Sequence, residues 1–224
     1  QIAQTHPDKI VVGIALDGMS RQAMRGMPVP NPTGPKEVLA FSGCTCLLRK
    51  EALEEVGLFD EDFFAYCEDT DLSLRLRWSG WKIVAAPNSN VHHYYSMTGG
   101  KFSLQKIYWV ERNHFWVAIK NFPWPLLIIL PFVTLWRYIL QAHLLLTRNG
   151  ELSGFIESAN TISVVSFYLK AIKDMFRYLP SMLRKRQLSS INWRLGTFEL
   201  LHLIWKFRLP VKVILMITKP PGNR

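Results

Sequence analysis

YCEDTDLSLRLRWSGW, residues 66–81, sets a pair of acids at the head of an apolar and basic run closed by glycine. DLSLRLRWSG (71–80) reads as a helix: Gly80 suits its end, and Asp71 and Arg75, four apart, can pair. Glu68 and Asp69 fall at its predicted start, where anions favour the positive end of the helix dipole. They either cap the helix or use it as a rigid mount for a catalytic acid, and the two roles are compatible.

Just upstream, LFDEDFFAYCED (58–69) interleaves Asp60, Glu61, Asp62, Glu68 and Asp69 with Phe59, Phe63, Phe64 and Tyr66. A solvated acidic patch needs no such aromatics. Carboxylates among aromatic rings suggest a partly buried site, where desolvation raises basicity, as a general base for a hydroxyl nucleophile requires. RKEALEEV (49–56) predicts a helix ending at Gly57, and VLAFSGCTCLL (38–48) an apolar segment with a small centre at Ser42-Gly43. KIVVGIA (9–15) and WKIVAAP (81–87) predict strands, and NVHHYYS (90–96) a strand or loop. Residues 17–37, rich in Gly and Pro, predict a long loop. His92 and His93 could bind a divalent metal with an upstream acid, or be packed or solvated.

The texture changes after Gly99-Gly100. Residues 1–100 hold 9 Lys+Arg against 12 Asp+Glu; residues 101–224 hold 18 against 5. The net charge of +10 therefore belongs to the second half. Residues 103–121 predict a helix. PWPLLIILPFVTLW (123–136) is uncharged but short of the ~20 residues of a comfortable span. If Arg137 and His143 are tolerated, 124–146 just crosses a membrane; otherwise it lies in the interface or re-enters. Residues 162–183 and FELLHLIWKFRLPVKVILMIT (198–218) read as interfacial amphipathic helices, with a soluble bundle as the other reading. A basic, Trp- and Leu-rich segment suits an anionic membrane surface rather than nucleic acid. Cys44, Cys46 and Cys67 build no disulfide framework and no zinc spacing. No signal peptide is expected at the start, and the lack of an initiator Met suits a fragment or processed piece.

From SGCTCLLR through GLFDEDFF, the Glu-Asp pair, LSLRLRWSGW and VHH, to ERN (111–113) and KNFP (120–123), the chain resembles the second half of the catalytic domain of glycosyltransferase family 2. It looks closest to rhamnosyltransferase-like members that build cell-surface polysaccharides. The resemblance implies an α/β fold of the GT-A type: residues 1–100 as the acceptor-side half of the catalytic domain, 101–224 as a mostly helical, membrane-associated region. It implies inverting transfer from a nucleotide-sugar, with Asp69 as the base and Glu68 as its paired acid. His93 would help hold a divalent metal, Mg or Mn. Gly43 falls near the sugar, on a small-residue strand flooring the cleft. Asp60 and Glu61 fall in the acceptor-side turn, and Arg112 and Asn113 in the helix leading to the membrane segment. The family's Asp-x-Asp strand is expected before KIVVGIALDG (9–18), so the donor-binding half is expected to be missing here.

The function that follows is glycosyl transfer to a lipid-linked or cell-surface saccharide at the cytoplasmic face of the inner membrane, with the chain peripheral or monotopic. The partners are the donor, the acceptor and anionic lipid, with no nucleic acid. One alternative is a non-catalytic membrane-surface module binding a lipid-linked glycan or anionic lipid. Another is a metal-dependent hydrolase, which needs several acids and histidines to converge.

Overall fold

The computed structural model describes residues 2–5, 12–22, 35–86, 91–94, 102–147, 151–209, 211 and 215, with 2–5, 12, 22, 91–94, 151–153 and 157 described by backbone alone. The elements run β1 Ile2–Thr5, β2 Val12–Ile14, β3 Ser20–Gln22, β4 Lys36–Val38, α1 Lys50–Val56, a 3-10 turn Glu61–Phe63, α2 Glu68–Trp78, β5 Ile83–Ala85 and β6 Val91–Tyr94. Then come α3 Leu104–Asn121, α4 Trp124–Leu146, α5 Glu151–Ser158, α6 Thr161–Arg177, α7 Leu179–Ser190 and α8 Thr197–Lys206. The described strands pair two by two and antiparallel: β1 with β6, β2 with β3, β4 with β5. The α/β expectation thus holds in its mixture of elements, but the described residues are mostly helical.

α2 organises the first half. Residues 69, 73 and 77 recur every four positions and share one helix face, and that face stitches the segment 37–43 along the helix. Arg77 reaches the Glu37 carboxylate at 2.9 Å and the Val38 carbonyl at 2.6 Å; Phe41 N–H donates to Ser73 Oγ at 3.1 Å; Gly43 N–H donates to Asp69 Oδ2 at 2.9 Å. The strand expected around Gly43 is corrected here. β4 stops at Val38, and Ser42–Thr45 is a turn closed by Thr45 N–H on the Ser42 carbonyl, because small polar residues favour turning over pairing. On another face, Arg75 lies 3.0 Å from Asp71, the pair its spacing predicts. Its remaining donors take the Val56, Gly57 and Leu58 carbonyls at the end of α1. Gly57, at φ 82°, ends that helix as expected.

One core cluster draws on both sides of residue 100. It joins Leu39, Phe63, Leu74 and Trp78 to Phe115 and Trp116 of α3, Phe122 just after it, Met182 of α7, and Leu200 and Ile204 of α8. The 162–183 stretch, read as one amphipathic run, is two helices broken at Tyr178, with Pro180 in the first turn of α7 where its missing N–H costs nothing.

α4 is the one described helix long and apolar enough to cross a membrane, with mean hydropathy 1.5 over its 23 residues. Arg137, expected to interrupt it, is fully buried: Nε sits 2.6 Å from Asp17, and the two terminal nitrogens fork Glu111 at 2.8 and 2.9 Å. Burial works against the charges of Asp17 and Glu111, but the Arg137 guanidinium outweighs it and holds both carboxyls below their usual range. Asp17 is presented by the β2–β3 turn. Gly18 there has φ 89°, and a side chain would collide with the His114 carbonyl. Leu126, Thr134 and Arg137 of α4 face the body, while Ile128, Phe132, Leu135 and Trp136 are exposed.

Candidate active site at the head of α2

The chain enters α2 through an unusual turn. Phe64, Tyr66 and Cys67 all have positive φ, at 60°, 68° and 67°, and none is glycine. Each such residue costs roughly 1–2 kcal/mol, so the turn persists only if its surroundings impose it. α3 does this. Asn113, fully buried, directs its amide NH2 at the Phe63, Ala65 and Tyr66 carbonyls at 2.9, 2.8 and 2.7 Å. Arg112 donates to the Asp62 and Phe63 carbonyls and to Asn113 Oδ1, with its guanidinium 4.0 Å from the Trp116 ring centre.

The turn delivers Glu68 and Asp69 to the N-terminus of α2. Asp69 Oδ2 accepts from Gly43 N–H at 2.9 Å, and Oδ1 accepts from Thr70 N–H at 2.7 Å. Burial pushes the Asp69 carboxyl above its usual range, against the pull of those donors. Glu68 is also raised, by burial first and by the Asp69 charge second. Its Oε2 is buried without a hydrogen-bond partner among the described residues. A carboxylate pinned through both oxygens, with raised basicity beside a second acid, is equipped to take a proton from a bound hydroxyl. Gly43 flanks the pair: a Cβ there would lie 3.5 Å from Asp69 Cβ and from Glu68 Oε1.

The other predicted residues fall nearby in the fold but do different work. Asp60 caps the 3-10 turn by accepting from Asp62 N–H, and its carboxylate meets Lys120 at 2.6 Å and Lys185 at 2.5 Å. Burial alone would raise the Asp60 carboxyl; the two ammonium groups bring it to about 2. Glu61 is exposed in the same turn. Arg112 and Asn113 spend their polar atoms on the turn itself. Residues not foreseen include Thr70, Ser73, Lys120 and the aromatic wall of Phe64 and Tyr66 against Trp109, with ring centres 5.0 and 6.3 Å apart. A β-turn with no glycine carries no sequence signal for its left-handed residues.

His93 lies on β6 opposite Ala3, and its side chain falls outside the described residues. Among the described residues no three His, Cys, Asp or Glu side chains are grouped to hold a metal ion. The convergence that the hydrolase reading needs is therefore not met among them. Glu68 and Asp69 by themselves form no such group.

The profile of Glycosyl transferase family group 2 matches residues 31–176. Two relatives from Mycobacterium tuberculosis, strains CDC 1551 / Oshkosh and ATCC 25618 / H37Rv, carry the name N-acetylglucosaminyl-diphospho-decaprenol L-rhamnosyltransferase. Each is 42% identical over 61 residues, 27% of this chain and 20% of the relative, so the likeness spans about a fifth of those proteins' length. No solved structure matches the chain. The profile covers more than half of the chain and includes the whole of the α2 site: the chain belongs to glycosyl transferase family group 2.

Proposed function

We propose that this chain carries the base and the acceptor side of an inverting glycosyltransferase. The supporting observation is the buried, doubly anchored Asp69 carboxylate beside Glu68. In this reading a nucleotide-sugar lies over the Gly43 turn, and Asp69 removes the acceptor hydroxyl proton. The acceptor oxygen forms its bond to the anomeric carbon from the face opposite the leaving nucleotide diphosphate. The sugar–phosphate bond breaks with its electron pair on phosphate, and the configuration inverts. Burial keeps Asp69 basic, and Glu68 stands beside it as a second raised acid. Arg112 and Asn113 act through the turn they hold, as positioning residues. Phe64, Tyr66 and Trp109 form the wall on which an acceptor sugar ring stacks.

Residues 101–224 form the membrane-associated region in this proposal. α4 contacts the body along one side from Leu126 to Arg137, and Gln141 still hydrogen-bonds Tyr168 of α6. A helix held at ~1.5 Å per residue along some 15 residues of the body lies against it rather than projecting from it. Its outward side is apolar, as are Ile162 and Leu169 of α6 and Phe198 of α8. Such faces suit the acyl boundary of an interface. The chain would rest on the cytoplasmic face of the inner membrane, and the acceptor would be a lipid-linked saccharide, as in the printed name of the relatives. Rhamnosyl transfer is the donor specificity that name favours.

The test is transfer of a labelled sugar from a nucleotide-sugar to a diphospholipid-linked acceptor by the enzyme carrying this chain, with the product linkage read by NMR. An inverted anomeric centre supports the proposal. A retained centre excludes single displacement with Asp69 as base, and binding of the acceptor without transfer favours a membrane-surface glycan-binding module.

A further inference from the structure

A second concavity lies away from Asp69, at the far end of α2. It has a volume of about 380 Å³ and is walled by Trp78, Trp124 and Trp193, with Leu183, Gln187 and Ser190 of α7. Trp78 is nine residues after Asp69, so about 13 Å of helix separates the two places. Arg186 sits in this wall, 7% exposed. Its guanidinium lies 4.8 Å from the Trp124 ring centre and 5.1 Å from that of Trp193. One terminal nitrogen, Nη1, donates to the Ile119 and Phe122 carbonyls at the end of α3. Among the described residues the other nitrogens, Nη2 and Nε, make no hydrogen bond and no acidic side chain pairs with the group.

A buried cation without a counter-charge is costly. Carbonyl oxygens and indole faces offset part of that cost. Burial still depresses the Arg186 group to about 10. The helix ends in this wall add no donors: α8 begins at Thr197 with Gly196 N–H already held by Glu199 at 2.7 Å, and α4 begins at Trp124 between Pro123 and Pro125, which carry no N–H. The rim continues into apolar surface, with Trp124, Leu183, Leu188, Ile191 and Phe198 exposed. The pocket therefore joins a guanidinium without an acidic partner to an apolar skin.

We propose that this pocket binds the phosphate group of an anionic membrane phospholipid, with Arg186 as the phosphate ligand, the indoles around the glycerol end and the acyl chains along the exposed apolar face. It is an anchoring site distinct from the acceptor site, because helix length alone keeps it clear of Asp69. The inference rests on the membrane reading of the second half given above.

Co-sedimentation of the full chain with phosphatidylglycerol vesicles, against phosphatidylcholine vesicles at equal salt, tests it. Arg186→Gln should weaken binding to phosphatidylglycerol about thirtyfold, the loss of a charge-assisted contact. Arg184→Gln, which removes the same charge from the exposed neighbouring position on α7, should weaken it no more than about fivefold. Ser190→Glu leaves the Arg186 carbonyl bonds untouched and should match Arg186→Gln, so misfolding of the latter would not obscure the result. Equal losses for Arg184→Gln and Arg186→Gln, or tight binding by Ser190→Glu, overturn the pocket. Inorganic phosphate binding that Arg186→Gln abolishes, with vesicle binding of that variant unchanged, overturns the lipid assignment in favour of a soluble anion. Absence of wild-type binding to phosphatidylglycerol vesicles would instead remove the membrane reading on which the inference stands.

Discussion

Replacing Asn113 by alanine should release the turn that carries Glu68 and Asp69. The Asn113 amide serves three carbonyls of that turn and accepts from Arg112 Nε. Two amide hydrogens cannot make three full bonds, so the loss amounts to about three hydrogen bonds in all. At about 1 kcal/mol each, that is about 3 kcal/mol. It is comparable to the roughly 3–6 kcal/mol stored in the left-handed Phe64, Tyr66 and Cys67, so the turn loses its main restraint. A thiol count reads this out. Cys44 and Cys46 are exposed, whereas Cys67 is buried in the turn and its thiol is raised well above the ordinary value by burial and then by Asp69. In the wild type two thiols should react quickly with an aromatic disulfide reagent and the third slowly. In Asn113→Ala the third should react about a hundredfold faster, which is what about 3 kcal/mol of easier opening gives. Transfer should fall mainly in kcat, because the base is displaced rather than the substrate surface lost. An Asn113→Ala protein with an unchanged Cys67 rate and unchanged kcat would refute the idea that α3 imposes the turn.

Glu68→Gln should raise stability at pH 7. The raised Glu68 carboxyl contributes stability below its unfolded value and loses it as pH rises through the folded value, so the gain should vanish near pH 4 in paired thermal melts. Arg137→Met should destabilise the fold by about 3–5 kcal/mol in urea titrations, because Asp17 and Glu111 are left buried and unpaired. Asp60→Asn should cost about 1–2 kcal/mol at neutral pH after solvent screening. The depressed Asp60 carboxyl stabilises above pH ~4 and loses that contribution as pH falls to about 2, so the acid-unfolding curve of the variant should be flatter.

Local chemistry was legible in the sequence where it was local in space. The end of α1 at Gly57, the Asp71–Arg75 pair, the span of α3 and the 124–146 helix all follow from spacing of a few residues. The Glu-Asp pair at a helix start among aromatics pointed to a partly buried carboxylate, and Asp69 is raised by burial. What stayed hidden depends on distant partners. Arg137 looked like a flaw in an apolar run until Asp17, 120 positions earlier, met it. Likewise Lys120 and Lys185 look like surface charge in a basic half, yet both close on Asp60. The basic surplus of the second half is therefore partly internal: Arg112, Lys120, Arg137 and Arg186 are all buried. The Gly43 segment misread as strand shows the same limit, since its course is set by residues 69, 73 and 77 across the chain rather than by its own apolar pattern.

The account stands on Asp69 as the group that takes the acceptor proton, and the most direct measurement compares Asp69→Asn with wild type in the enzyme carrying this chain. Nucleotide-sugar affinity should stay within about twofold while single-turnover transfer to the lipid-linked acceptor falls by at least about a thousandfold, as loss of general-base catalysis requires. Transfer within tenfold of wild type, with donor affinity intact, would contradict it.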